Sequence, residues 1–149
     1  MSEAVSQNAP CTSPLACEMV LPVRFYDTDL LGVVNNVVYV RWLEDLRTAW
    51  CDRYWPLAEQ MAVGYAPVIV SITIDYLGPV RFGDHVIGRV WVTPQKARLI
   101  FDTEIHANGR LAATARQIVA LVHLDGLKPT RIPRSLIERY EEAIQAANR

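Results

Sequence analysis

The rhythm of apolar and polar residues changes twice along this chain. After Asn36, Tyr39, Leu43, Leu46 and Trp50 fall at offsets of zero, four, seven and eleven, one face of an α-helix running from Val37 to about Cys51. Val38, Trp42 and Ala49 widen that stripe, while Arg41, Asp45 and Asp52 lie toward the other side. So broad an apolar face predicts a helix wrapped by a sheet. Pro56 ends it or begins a short second turn. From Pro67 the period falls to two: Val68, Val70, Ile72, Ile74 and Tyr76 alternate with Ile69, Ser71, Thr73, Asp75 and Leu77, a strand with one face more polar. Gly78-Pro79 and Gly83-Asp84 punctuate the next connection, and further strands are predicted over about His85–Thr93, Arg98–His106 and Arg110–Leu124. Asn108-Gly109 marks a hairpin, because both residues tolerate positive φ. Ile118–Val122 is continuously apolar, as in a strand covered on both faces. A first strand is predicted over Glu18–Tyr26, interrupted by Pro22. Ser135 with Glu138 predicts a capping box ahead of a terminal amphipathic helix carrying Ile137, Tyr140, Ile144 and Ala147.

Strand, long helix, four strands joined by short turns and a last helix describe an α+β domain. The economical packing is one curved antiparallel sheet around one central helix. At 149 residues, 51% hydrophobic, the chain reads as one domain over 18–149 behind a flexible leader over 1–17. Within that leader, the opening Met1–Pro14 is rich in Ser, Asn, Thr and Pro, with no apolar signal segment. The formal charge of −1 offers no global attraction to nucleic acid or anionic membrane, although a local patch can still take a phosphate. No apolar run approaches the roughly 18 residues of a membrane span. Cys11, Cys17 and Cys51 form no CxxC pair and leave one thiol over, which points to a reducing, cytoplasmic compartment. His85, His106 and His123 are scattered over three predicted strands, so no metal site is expected. No Gly-rich nucleotide loop occurs, and no cofactor is called for.

The chemistry concentrates in Val23-Arg24-Phe25-Tyr26-Asp27-Thr28-Asp29-Leu30-Leu31-Gly32-Val33-Val34-Asn35-Asn36, immediately before the long helix. The free N–H groups at a helix start carry roughly half a positive charge. Carboxylates beside them can act on a polarised carbonyl. Asn35 and Asn36 are also good helix caps by side-chain chemistry.

The run V-R-F-Y-D-T-D-L-L-G-V-V-N-N-V-V-Y-V-R-W-L-E resembles the N-terminal signature of hotdog-fold acyl-CoA thioesterases of the 4-hydroxybenzoyl-CoA thioesterase type. I-D-Y-L-G-P-V-R-F-G-D, I-H-A-N-G-R-L-A-A and D-G-L-K-P-T-R-I-P agree in order and spacing, so the similarity covers roughly Met19 to Tyr140. The resemblance implies a hotdog fold, a curved antiparallel five-stranded sheet around a long helix plus a C-terminal helix. It also implies two copies paired through a continuous sheet, as a homodimer or homotetramer, with active sites at the dimer interface. The implied substrate is an acyl-CoA or related thioester.

On this resemblance Asp29 matches the catalytic carboxylate, either as general base or as a nucleophile forming a mixed anhydride. The backbone N–H at Asn36, with Val37 beside it, would polarise the thioester carbonyl, and Gly32 would allow the tight turn before it. Asp27 is read as a shaper of that turn. Plant-type acyl-carrier-protein thioesterases place Asn and His where this chain has Leu31 and Val33, which favours a lone carboxylate. Glu44 is expected to pair with Arg47 or a strand residue. Ser71 and Thr73 are candidates to position the acyl group or a water across the interface. Lys96 and Arg98, with Arg81 and Arg131 behind them, are candidates for the coenzyme A phosphates. The acyl group stays open, since pocket depth depends on packing around Trp42, Met61 and Tyr65. So does the thiol carrier, coenzyme A or acyl carrier protein. The rivals are a non-catalytic hotdog that binds acyl thioesters and a hotdog dehydratase, whose usual Asp–His pair is missing here.

Overall fold

The computed structural model describes residues 13–149. They form β1 (Ala16–Val20), α1 (Asn36–Tyr54), α2 (Leu57–Val63), β2 (Tyr65–Tyr76), β3 (Val86–Gln95), β4 (Arg98–Ala107), β5 (Arg110–His123), β6 (Pro129–Thr130) and α3 (Arg134–Ala147). The sheet is antiparallel in the order β1-β3-β4-β5-β2, with the two-residue β6 added to β5. This is the hotdog arrangement expected from the resemblance, with one short strand more than the five expected.

The apolar stripe of α1 explains why the helix lies on the sheet. Val38, Tyr39, Trp42, Leu43, Leu46 and Trp50 are all buried. At Gly88 of β3 the packing is tight: an added Cβ would stand 2.7 Å from a Leu46 methyl and 2.9 Å from one of Leu21, so a larger residue there would force those two leucines to shift. At the far end of α1, Trp50 is 0% exposed. Its ring meets Phe101 edge-on, centroids 5.1 Å apart, and its indole N–H donates to the Leu15 carbonyl at 2.8 Å. The Tyr54 hydroxyl donates to the Ala16 carbonyl at 2.7 Å. These two bonds tie the helix end to the start of β1.

Several boundaries differ from the sequence expectation. Of the leader expected over 1–17, residues 1–12 lie outside the described residues. Its expected end at 17 falls inside β1, because Ala16 and Cys17 already pair with Trp91 and Val90. That first strand ends at Val20 rather than Tyr26. Pro22 brings no N–H to continue a ladder, and Phe25–Asp27 form a 3₁₀ turn instead. The capping box at Ser135 is not formed: α3 begins at Arg134 behind Pro133, and the Glu138 carboxylate accepts from Arg134 at 3.0 Å. In β5 the inward residues of the apolar run are covered, but Ile118 and Ala120 on the other face are only half-buried.

In β2 the pairing with β5 shifts between Ile69 and Ser71, leaving Val70 as the extra residue of a β-bulge. The simple alternation therefore breaks there. Ile69, not Val68 or Val70, packs against the core together with Ile74. Pro67 is tolerated because β2 is an edge strand. Asn108 and Gly109 do adopt positive φ, 51° and 79°, as the hairpin requires.

Candidate functional site

Between the 3₁₀ turn and α1 the chain doubles back on itself. The Asn35 N–H donates to the Asp27 carbonyl at 2.9 Å, Thr28 bridges Val34, and the Asp29 N–H donates to the Val33 carbonyl at 2.9 Å. Gly32, at φ +71°, closes the turn with its N–H on the Asp29 carbonyl at 3.0 Å. Such a φ costs glycine less than any other residue. The returning arm is also held from outside: the Val34 N–H donates to the Val80 carbonyl at 2.8 Å, and Val33 bridges Arg81. Alongside, Phe25 and Phe82 meet edge-on with centroids 5.8 Å apart.

The two carboxylates of this loop have opposite environments. Asp27 is 1% exposed. One of its oxygens accepts the Arg24 N–H at 2.9 Å and the other accepts Arg41 of α1, also at 2.9 Å. It shapes the turn and fastens it to the helix, as expected of it. Asp29 is exposed. Its Oδ1 accepts the N–H groups of Leu31 at 2.8 Å and Val33 at 3.3 Å, while Oδ2 has no hydrogen-bond donor among the described residues. Oδ2 is thus a lone carboxylate oxygen on a turn with fixed ends.

The start of α1 follows directly. Asn35 holds the N-cap position but its side chain makes no capping bond. Val38 N–H returns to the Asn35 carbonyl at 3.0 Å, whereas the N–H groups of Asn36 and Val37 reach no backbone carbonyl among the described residues. Both residues are exposed. Tyr76, the last residue of β2, lies against this turn. Its hydroxyl donates to the Asn36 carbonyl at 3.3 Å, and its ring meets Tyr39 edge-on at 5.0 Å. Burial pushes the Tyr39 phenol up, reinforced by Tyr76 and opposed by Arg110. Sequence reading did not single out Tyr76, although the alternation of β2 places it on one face with Ile72 and Ile74.

Other sequence candidates divide. Glu44 pairs with Arg47 at 3.3 Å, and Arg47 also donates to the buried Gln117 at 2.8 Å, a structural pairing of the kind expected. Ser71 and Thr73 lie on the sheet face turned away from α1. There Thr73 lines a shallow trough of about 270 Å³ with Asp75, Trp91, Asp102, Glu104 and Arg116. Neither joins Asp29 within one chain. Lys96 and Arg98 sit at the tip of the β3–β4 hairpin, where Gln95 pairs with Arg98. The Asp29 loop is at the other end, next to the segment entering β3, so the ten-residue length of β3, about 30 Å, separates them. Arg131 follows β6, whose partner Leu121 is likewise at the far end of β5. Arg81 is the one basic candidate beside the loop.

The histidines occupy strand or turn positions: His85 donates its backbone N–H to Asn108, His106 meets Glu104 at 3.0 Å, and His123 packs on Tyr65. Among the described residues no three His, Cys, Asp or Glu side chains converge as metal ligands. Burial pushes the Cys51 and Cys17 thiols up, so neither presents a thiolate at neutral pH.

An apolar margin flanks the site. On α1 Val37 and Val40, and on β2 Ile72 and Tyr76, stay open with exposures of 76, 44, 39 and 44%. Leu30 and Leu31 protrude from the turn itself.

The chain carrying this loop is similar to proteins of known family. The family model described as the thioesterase-like superfamily matches residues 23–144. The acyl-CoA thioester hydrolase YbgC of Escherichia coli O157:H7 is 29% identical over 127 residues, covering 81% of this chain and 94% of that protein. The acyl-acyl carrier protein thioesterase ATL3, chloroplastic, of Arabidopsis thaliana is 31% identical over 128 residues, covering 83% of this chain and 66% of that protein. Among solved structures, a thioesterase complexed with coenzyme A and Zn from Thermus thermophilus superimposes with a TM-score of 0.74 at 27% identity, covering 88% of this chain and 95% of that one.

Proposed function

The chain belongs to the thioesterase-like superfamily and is a thioester hydrolase, and we propose that it hydrolyses acyl-CoA to free acid and coenzyme A with Asp29 as its catalytic side chain. The observation that carries the reading is the Oδ2 of Asp29, which has no hydrogen-bond donor among the described residues and is held on a turn whose returning arm opens directly into α1. The thioester carbonyl would accept from the N–H groups of Asn36 and Val37, which reach no backbone carbonyl among the described residues, where the helix start favours the developing oxyanion. As general base, Oδ2 takes a proton from water while its oxygen bonds to the acyl carbon. The C–S bond then breaks and the thiolate recovers the proton. As nucleophile, Oδ2 itself bonds to that carbon and the thiolate leaves; water then adds its OH to the acyl carbon of the mixed anhydride, the bond to Oδ2 breaks to restore the carboxylate, and water's other proton goes to the thiolate. Both routes use the same oxygen.

A second copy completes the site in this reading. β2 ends the sheet with twelve residues, and Val68, Val70, Ile72 and Tyr76 along it are between 39 and 49% exposed. An uncovered apolar edge of this length is suited to strand addition. Antiparallel pairing of β2 with its counterpart makes a continuous sheet and reverses the partner's ends. The partner's Lys96 and Arg98 are then at the same end as Asp29, where with Arg81 they can meet the phosphates of coenzyme A. A cytoplasmic location accords with the free Cys17 and Cys51.

The test is release of thiol from benzoyl-, short- and long-chain acyl-CoA, with the matching acyl-carrier-protein thioesters in parallel. Turnover of at least one coenzyme A ester is expected, and a folded preparation that cleaves none overturns the proposal. Val68→Lys with Val70→Lys should convert the assembly to monomers in light scattering and reduce hydrolysis at least tenfold, by removing the partner's part of the site. A monomeric variant with full activity would show that one chain suffices.

A further inference from the structure

The short helix α2 is turned inside out. Its two polar side chains face the protein: Gln60, 6% exposed, donates to the Trp55 carbonyl at 2.8 Å, and the Glu59 carboxylate accepts from Arg139 of α3 at 2.9 Å. Its outward face is wholly apolar. Leu57 and Met61, one turn apart, are 67 and 60% exposed, and Ala58 and Ala62 beside them are exposed as well. A surface helix ordinarily does the reverse, so this face is built to be covered. A second uncovered apolar surface is the Asp29 turn, where Leu30 and Leu31 protrude.

Within one chain these two surfaces do not meet. α2 runs through Gly64 into Tyr65, the first residue of β2, whereas the helix start behind the Asp29 turn lies by Tyr76, the last. Twelve residues of strand, about 35 Å, lie between. An antiparallel pair of β2 strands reverses one chain against the other and keeps both α1 helices on one face of the joined sheet. Each chain's α2 is thereby carried to the other's Asp29 end, twice over by symmetry. We propose that α2 is the cover of the neighbouring active site: the partner's Leu57 and Met61 pack over Leu30 and Leu31, and the acyl chain of the thioester runs between them. This cover exists only if the sheets join through β2, as proposed above. Its occupant is a second copy because the matching apolar surface is on this same chain, at the end to which that pairing brings it. Met61, unbranched and adaptable, suits a wall against a flexible apolar chain.

Leu31→Cys together with Met61→Cys places one thiol on each surface. A short bismaleimide should join the two chains through them, seen as a covalent dimer in denaturing electrophoresis, while each single variant, carrying the same native thiols, stays a single chain. Particles that are dimers or larger in light scattering but give no cross-link in the double variant overturn the cover and leave the joined sheet standing. Equal cross-linking by either single variant places another contact there and overturns it as well. A monomer in light scattering removes the joined sheet and the cover together. The cross-link needs no turnover, so it separates the cover from the assignment of Asp29. Selectivity reads the acyl wall. Met61→Trp should raise the ratio of kcat/KM for short over long acyl-CoA about tenfold, and Met61→Ala should lower it by a similar factor. A ratio that stays put, or moves the same way in both variants, overturns the contact with the acyl chain.

Discussion

Asp29→Asn should slow hydrolysis about a thousandfold in kcat, within the range that general-base groups contribute, and leave KM nearly unchanged. The substitution is informative because of how the carboxylate is divided. Oδ1 serves the turn, accepting from Leu31 and Val33, and an asparagine oxygen can do the same. Oδ2 makes no such bond, and an amide nitrogen in its place can neither accept a proton nor attack a carbonyl. A thousandfold loss corresponds to about 4 kcal/mol of transition-state stabilisation, while stability should hardly move. Thiol release across the acyl-CoA panel checks the first point and thermal melting the second. A variant as fast as the wild type would remove Asp29 from the mechanism. Asp27→Asn offers a contrast, since the charge paired with Arg41 is lost from a carboxylate 1% exposed. Its effect should appear in stability as well as in rate.

Trp50→Ala carries the largest expected effect on stability, a loss of about 3–5 kcal/mol. The indole is fully buried, meets Phe101 edge-on and donates to the Leu15 carbonyl. Truncation leaves a cavity between α1 and β4, and a carbonyl without its donor. Against a total stability of about 5–15 kcal/mol for a domain of this kind, the variant should unfold at a much lower urea concentration. Trp50→Phe retains most of the ring contact and should lose only about 1–3 kcal/mol, mainly through the missing N–H. The urea midpoint, at an unchanged slope, is the measurement. A midpoint within error of the wild type for Trp50→Ala would refute the packing account. The folded fraction should still hydrolyse normally, because Trp50 sits at the opposite end of α1 from Asp29.

Much of this was legible in the residues, for local reasons. Tyr39, Leu43, Leu46 and Trp50 place α1 because helical spacing is intrinsic to the segment. Asn108-Gly109 places the last hairpin because its φ demands are equally local. Asp27 and Asp29 were told apart by motif, and the structure adds the burial and bonding that separate them. What was not legible depends on residues distant in sequence. β1 begins at Ala16 only because β3 is there to pair with it. Nothing around Val70 announces a bulge, yet the bulge decides that Ile69 faces the core. The charge and turn position of Lys96 and Arg98 carry no sign of which chain's site they would serve, and within one chain the β3–β4 register sets them a strand's length from Asp29. Ser71 and Thr73 were correctly grouped on one polar face, and only the placement of α1 shows that this face points away from the helix.

The bulge at Val70 has a consequence for how the protein avoids sticking to others of its kind. A straight twelve-residue edge rich in valine and isoleucine is a template that many extended chains can join, in many alignments. An extra residue bends the strand and breaks the even spacing of its outward N–H and C=O groups. A passing segment finds only short stretches on either side of the interruption. A chain carrying the same interruption is under a different constraint, because few alignments put both irregularities where the rest of the ladder survives. The single unpaired residue in β2 thus narrows the edge from a general adhesive to a selective one, at the strand where misassociation would be easiest.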